Sequence, residues 1–115
     1  MSTPLYQLKA EFFKTLGHPV RIRVLELLSE REHGVAEMLR DTGVEPAYLS
    51  QQLAVLRRAN MVVARREGTA VYYALTSPQV AELLTTARAI LSGVLAGRAE
   101  PPGGLRAPAP REKTP

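Results

Sequence analysis

The sequence predicts a mainly α-helical fold with one β-hairpin, in the order α-α-α-α-β-β-α. Apolar residues recur at three- and four-residue spacing through four segments before residue 60, which is typical of helices that pack on a core. Residues 61–75 are rich in β-branched and aromatic residues on either side of a glycine-containing turn, which indicates a hairpin. A long apolar helical pattern follows Pro78 and predicts the last helix.

The first two helices are predicted from their apolar faces. In LYQLKAEFFKTLG, Leu5, Leu8, Phe12 and Leu16 share one face, and Gly17 ends the helix. The second segment, VRIRVLELLSE, is apolar on most of its surface. We therefore expect the second helix to lie at the centre of the core.

The third and fourth helices form a helix-turn-helix pattern. VAEMLRDTG predicts a short helix that ends at Gly43, and Pro46 fits the first turn of the next helix. Leu49, Leu53 and Leu56 form a stripe that fixes this fourth helix to the core. The short connection TGVEP between the two helices completes the pattern.

The hairpin and the last helix follow in the second half of the chain. MVVAR and AVYYAL predict two strands, and REGT between them supplies the glycine of a tight reversal. The last helix, within VAELLTTARAILSGVLAG, carries only Glu82 and Arg88 as charges. A helix this apolar is unfavourable in water, so we expect it to be covered.

Length and composition limit the classes of protein to consider. A chain of 115 residues fits a single hydrophobic core, so we expect one domain over residues 1–98. Residues 99–115 hold five of the nine prolines and little apolar bulk, which predicts a disordered tail. The absence of cysteine excludes disulfides, thiolate metal sites and a cysteine nucleophile.

Charge indicates the kind of partner. The net charge of +4 and the pI near 9.9 favour a polyanion such as nucleic acid, with an anionic membrane surface as the competing interpretation. No run approaches the roughly eighteen apolar residues that a membrane span needs, and the N-terminus lacks a signal-peptide pattern. We therefore expect a cytoplasmic protein without a membrane partner.

The fourth helix carries side chains that suit base edges and phosphates opposite Leu49. On a helical wheel that surface comprises Ala47, Tyr48, Ser50, Gln51 and Arg58, with Gln52 at its flank. Glutamine can pair bidentately with adenine, and hydroxyls and arginine can reach phosphates or bases in the major groove. Any solvated helix also carries Gln and Arg, so this face alone leaves both interpretations open.

The hairpin favours the nucleic-acid interpretation. Arg57, Arg58, Arg65 and Arg66 occur in ten residues that contain no acidic residue. A helix-turn-helix followed by a basic hairpin predicts a winged helix, whose wing lies along the DNA backbone or in the minor groove. A solvated charged turn is the alternative.

Three segments resemble the ArsR/SmtB family of bacterial winged-helix repressors: LGHPVRIRVLELL, VAEMLRDTGVEPAYLSQQLAVLRRANMV and ARREGTAVYYAL. The resemblance implies a homodimer that binds an inverted-repeat operator in double-stranded DNA through helix 45–59 and wing 61–75, and that responds to an effector. Positions that match the family's groove-facing and wing residues are Ala47, Tyr48, Ser50, Gln51, Gln52, Arg65 and Arg66.

The resemblance also implies that the first and last helices build the dimer, which explains the apolar last helix. The residues expected at this interface are Leu5, Leu8, Phe12, Val80, Leu83, Leu84, Ala87, Leu91 and Val94. The alternative from another class is a winged-helix module that acts only through a partner protein. No catalytic constellation is visible in the sequence, which predicts that the protein is not an enzyme.

The sequence departs from the family where members bind metal ions. Gly34 and Ala36 stand where thiolate-using members carry a Cys-x-Cys pair, and residues 78–97 contain no histidine or aspartate. A nickel- or zinc-responsive regulator would have to use His18 and His33 with carboxylates, chosen from Glu11, Glu30, Glu32, Glu37 and Asp41. The alternatives are that both histidines cap helices or face water, and that the effector is a small organic molecule or a partner protein.

Overall fold

The computed structural model of the protein describes residues 2–97. The elements in chain order are α1 (Leu5–Leu16), α2 (Pro19–Glu30), β1 (His33–Gly34), α3 (Val35–Thr42), α4 (Pro46–Arg58), β2 (Val62–Glu67), β3 (Ala70–Leu75) and α5 (Pro78–Gly97). The predicted order of helices and hairpin is confirmed, and the short strand β1 is an addition that the sequence pattern did not indicate.

Local capping chemistry sets the ends of the helices that form the helix-turn-helix. His18 caps α2, because its Nδ1 accepts a hydrogen bond from the Val20 N–H at 3.3 Å. Gly43 ends α3 with φ of 69°, in the left-handed region, and its N–H donates to the Leu39 carbonyl at 2.9 Å. Pro46 then occupies the first turn of α4, where the missing N–H has no intrahelical partner to lose.

The sheet is antiparallel and has three strands in the order β1-β3-β2. Tyr72 of β3 lies opposite Gly34 on one side and opposite Arg65 on the other. A Cβ atom at Gly34 would lie 3.3 Å from the Tyr72 ring, so glycine leaves room for that ring. Gly68, with φ of 63°, allows the tight reversal between β2 and β3.

The core lies among α2, α3, α4 and the sheet. The helix α2 is central, as predicted, and contributes Val24, Leu25, Leu27 and Leu28 to the interior. The largest fully buried side chains of the described residues are Leu25, Met38, Leu49, Leu56, Met61 and Val24. The apolar stripe of α4 thus packs on the core, and the opposite face of this helix is exposed to solvent.

The helix α5 crosses the boundary between two compact units, which falls between Ala81 and Glu82. Its length and composition would suffice for a membrane span, so the expectation that no segment reaches that length was wrong. Core helices of soluble proteins can have the same length and composition, so these two properties do not by themselves indicate a membrane protein. The single domain over residues 1–98 stays a prediction, and the predicted tail lies outside the described residues.

Candidate nucleic-acid interface

The outer face of α4 presents a row of polar side chains to solvent. Ala47, Tyr48, Ser50 and Gln51 are exposed, whereas Leu49 between them is buried. Arg57 and Arg58 are exposed at the C-terminal end of the same helix. Since the buried leucine stripe holds the helix on the core, the exposed side chains project from a fixed backbone.

Gln52 belongs to the interior, so the expectation that it faces DNA was wrong. Its side chain is 6% exposed, and its Oε1 accepts a hydrogen bond from Arg21 Nε at 2.8 Å. Arg21 also donates through Nη1 to the Thr15 carbonyl at 2.9 Å. The helical wheel places Gln52 at the flank of the polar face. Its hydrogen bond to Arg21, 31 residues earlier in the chain, holds the side chain on the inner side of the helix. Gln52 therefore ties α4 to α2.

Tyr48 is 37% exposed, and its hydroxyl lies 2.9 Å from His18 Nε2. Because His18 Nδ1 accepts the Val20 N–H, the neutral ring carries its hydrogen on Nε2 and donates it to the Tyr48 oxygen. The phenolic hydrogen is then left to donate outward. A hydroxyl oriented in this way suits a phosphate oxygen.

The two arginines of the wing have different surroundings. Arg65 binds the Glu32 carboxylate through Nε at 3.0 Å and Nη2 at 2.9 Å, and this pairing lowers the pKa of Glu32. Glu67 lies 3.5 Å from Arg65 Nη1. Arg66 is exposed and makes no ion pair with any residue between 2 and 97.

Positive charge without a partner therefore concentrates between residues 57 and 66. Within the part of the chain that the structure describes, Arg57, Arg58 and Arg66 are exposed and form no ion pair. Cations of this kind bind phosphate and release counterions, a process that strengthens binding at low salt.

The candidate metal ligands do not come together within one chain. His33 is 5% exposed and lies in β1, with Nδ1 2.9 Å from the Arg31 carbonyl, so it neither caps a helix nor faces water. Glu37 pairs with Arg31, and Asp41 pairs with Arg23. Among residues 2–97, no three side chains of His, Asp or Glu lie close enough to hold a metal ion.

The helices α1 and α5 each expose apolar side chains. The large exposed ones are Leu5, Tyr6, Leu8 and Phe13 on α1, and Ile90, Leu91, Val94 and Leu95 on α5. Phe12, Leu83, Leu84 and Ala87 are half-buried. Val80 is 9% exposed in the single chain and belongs to the protomer's core, and its place at the dimer interface stays a prediction.

Sequence reasoning missed three of these exposed residues: Tyr6, Phe13 and Ile90. The signal was present, because Tyr6 and Phe13 are seven residues apart and Ile90 precedes Val94 by four. Exposed apolar surface that is this continuous along a helix marks an interaction site.

The second helix of a helix-turn-helix, exposed and followed by a basic two-stranded wing, defines a winged helix-turn-helix DNA-binding domain. The sequence pattern of the bacterial regulatory proteins of the arsR family matches residues 18–63. The chain belongs to this family, as its relatives also show, and is a transcriptional regulator. The resemblance to ArsR/SmtB proteins is thereby confirmed.

Three similar proteins illustrate the match. Rv0081, an uncharacterised HTH-type transcriptional regulator of Mycobacterium tuberculosis, is 57% identical over 92% of this chain and 94% of its own length. Its crystal structure gives a TM-score of 0.80 at 58% identity, covering 86% of this chain and 100% of that chain. The biofilm growth-associated repressor of Xylella fastidiosa is 40% identical over 65% of this chain and 66% of its own length. The homodimeric domain of a possible ArsR-family regulator of Mycobacterium bovis gives a TM-score of 0.72 at 31% identity, covering 79% and 84% of the two chains.

Proposed function

We propose that the protein is a homodimeric transcriptional repressor that reads an inverted-repeat operator with α4 and its wing and responds to an effector. One observation carries the proposal: the exposed polar face of α4 is held on the core by a buried leucine stripe and adjoins arginines that have no ion-pair partner within residues 2–97. A fixed polar helix beside cationic side chains is what base readout in the major groove requires.

Each exposed residue has a role in this proposal. Gln51 is the base-reading residue, because its amide can pair bidentately with adenine, and Ala47 offers an apolar contact to a thymine methyl. Tyr48 and Ser50 donate to phosphates at the groove edge. The exposed arginines Arg57, Arg58 and Arg66 neutralise phosphates of the flanking backbone.

The dimer is proposed from the exposed apolar faces of α1 and α5 and from the homodimeric Mycobacterium bovis domain. Two α4 helices related by a two-fold axis would read half-sites about 34 Å apart, which is one turn of DNA. This geometry gives the operator its inverted repeat. Repression is suggested by the name of the Xylella fastidiosa relative, and a DNA-bound regulator acts in the bacterial cytoplasm.

The effector is proposed only as a ligand that changes affinity for DNA, either a small molecule or a partner protein. The nickel or zinc alternative gains no support within residues 2–97, where no group of three ligating side chains exists in one chain. The proposal therefore names no metal, and it assigns no catalytic role.

Selection of duplex DNA from a random pool by the purified full chain tests the proposal. We expect the recovered sequences to share an inverted repeat whose half-sites lie one helical turn apart, bound by two chains. Recovery of no common sequence by a protein that still dimerises would contradict the proposal and favour the alternative, a winged-helix module that acts through a partner protein.

A further inference from the structure

We propose that Arg65 is a positioning residue that braces the wing against the segment before α3, whereas Arg66 is the wing's phosphate contact. The proposal refines the proposed DNA-binding function and rests on it. It separates two adjacent arginines that the sequence pattern treats alike.

The guanidinium of Arg65 is already occupied by partners within the chain. Nε and Nη2 bind the two Glu32 oxygens at 3.0 and 2.9 Å, and Nη1 lies 3.5 Å from Glu67. The face of the group lies over the Tyr72 ring, with Cζ 4.8 Å from the ring centroid. A phosphate would have to displace Glu32 from a bidentate pair, which is the most specific geometry that arginine and carboxylate can form.

The contact between Arg65 and Glu32 crosses the sheet. Glu32 immediately precedes β1, and β3 lies between β1 and β2. In the register, Tyr72 stands opposite both Gly34 and Arg65. Arg65 thus reaches over the Tyr72 ring to the far side of the sheet, and the ring has room because Gly34 has no side chain. The contact joins both edges of the three-stranded sheet.

The segment to which Arg65 is attached is itself held in place. Glu37 accepts the Gly34 N–H at 2.8 Å and binds Arg31 Nη2 at 2.9 Å, so the segment before α3 is itself fixed to the first turn of α3. Arg65 therefore links the wing to the start of the helix-turn-helix. Arg66, one residue on, lies outside this network and is exposed. Loss of the brace should loosen the wing without removing a phosphate contact.

Hydrogen exchange of the wing amides in the DNA-free full chain tests the brace independently of any operator. We expect Arg65→Gln and Glu32→Gln each to speed exchange in β2 and β3, and Arg66→Gln, the matched control, to leave it at the parent rate. The charge-reversed double variant, Glu32→Arg with Arg65→Glu, re-forms the ion pair without the guanidinium over Tyr72 and should restore part of the protection. Equal exchange in Arg65→Gln and Arg66→Gln would overturn the brace, even if the protein selects no operator.

The same variants on the selected operator distinguish positioning from direct contact. We expect Glu32→Gln and Arg65→Gln to weaken binding by similar factors, with a coupling between them of about 2- to 150-fold in Kd. Neither should change the slope of log K against log salt concentration, whereas Arg66→Gln should reduce it by about 0.9. Tighter binding by Glu32→Gln, or a reduced slope in Arg65→Gln, would show that Arg65 contacts phosphate and would overturn the proposal.

Discussion

Tyr48 and Gln52 lie four residues apart on α4, yet one is 37% exposed and the other 6%. Each is hydrogen-bonded to the start of α2, Tyr48 through His18 and Gln52 through Arg21. The two bonds hold the N-terminal half of α4, where the proposed reading residues lie. A polar residue on a recognition helix can therefore position the helix as well as contact the ligand.

Gln52→Leu tests the inward role. The change keeps the side-chain volume but removes the acceptor of Arg21 Nε, so the free energy of unfolding should fall by about 1–3 kcal/mol. The neighbouring Gln51→Leu is the matched control, since Gln51 is exposed, and its effect should stay within about 0.5 kcal/mol. Urea unfolding measures both, and equal effects of the two variants would show that the buried bond contributes nothing.

Glu37 gives the protein an acid-sensitive contact. Hydrogen bonds from Arg31 and from the Gly34 N–H lower the pKa of this carboxyl from 4.5 to about 2. Because the folded-state pKa is depressed, its contribution to stability is fully present above pH 4.5 and is lost as the pH falls from there towards 2.

The expected result is a flatter pH dependence in Glu37→Gln. Thermal unfolding between pH 5 and 2.5 should lose less stability on acidification in this variant than in the parent, with Glu82→Gln on α5 as the exposed control. A parent and a Glu37→Gln variant whose melting temperatures fall in parallel would show that Glu37 is not the group that titrates.

At the scale of elements, α5 carries the proposed dimer contact. Leu91 is 59% exposed in the single chain, so Leu91→Glu should leave the protomer folded but place an unpaired charge in the proposed interface. Thr86→Glu, on the same helix and also exposed, is the control. Sedimentation should show monomer for the first and dimer for the second. An unchanged dimer in Leu91→Glu would move the interface elsewhere.

The sequence predicts those elements whose signals are local. The five helices and the hairpin follow from local periodicity, from Gly43 and from prolines at helix starts, and these signals lie within the elements themselves. The strand β1 has two residues, too few for an alternating pattern, and its existence depends on pairing with β3. Elements that depend on distant partners leave no local signal.

The features of the candidate site also divide into those that local spacing predicts and those that depend on distant residues. Exposure of Tyr48, Ser50 and Gln51 follows from their positions opposite the leucine stripe. The inward turn of Gln52 and the engagement of Arg65 depend on Arg21 and Glu32, which are 31 and 33 residues away. No spacing rule within one helix or one hairpin relates such pairs.

At the scale of the whole molecule, ion pairs within the chain neutralise some arginines and leave others without an acidic partner. Glu26, Glu32, Glu37 and Asp41 each bind an arginine of the same chain. The exposed arginines between residues 57 and 66 other than Arg65 retain their charge for a partner, within residues 2–97. Arg57, Arg58 and Arg66 thus place local positive charge on α4 and the wing, and this local charge accounts for a polyanionic partner better than the overall net charge of +4 does.

The reading of DNA by the exposed face of α4 is tested most directly by Gln51→Ala. Fluorescence anisotropy would compare it with the parent on the selected operator and on a scrambled duplex, at several salt concentrations. We expect binding to the operator to weaken by about 5- to 150-fold, as for one lost bidentate base contact, while scrambled-duplex binding and the salt slope stay unchanged because glutamine is neutral. Equal affinity of parent and variant for the operator would contradict the assignment of α4 as the reading helix.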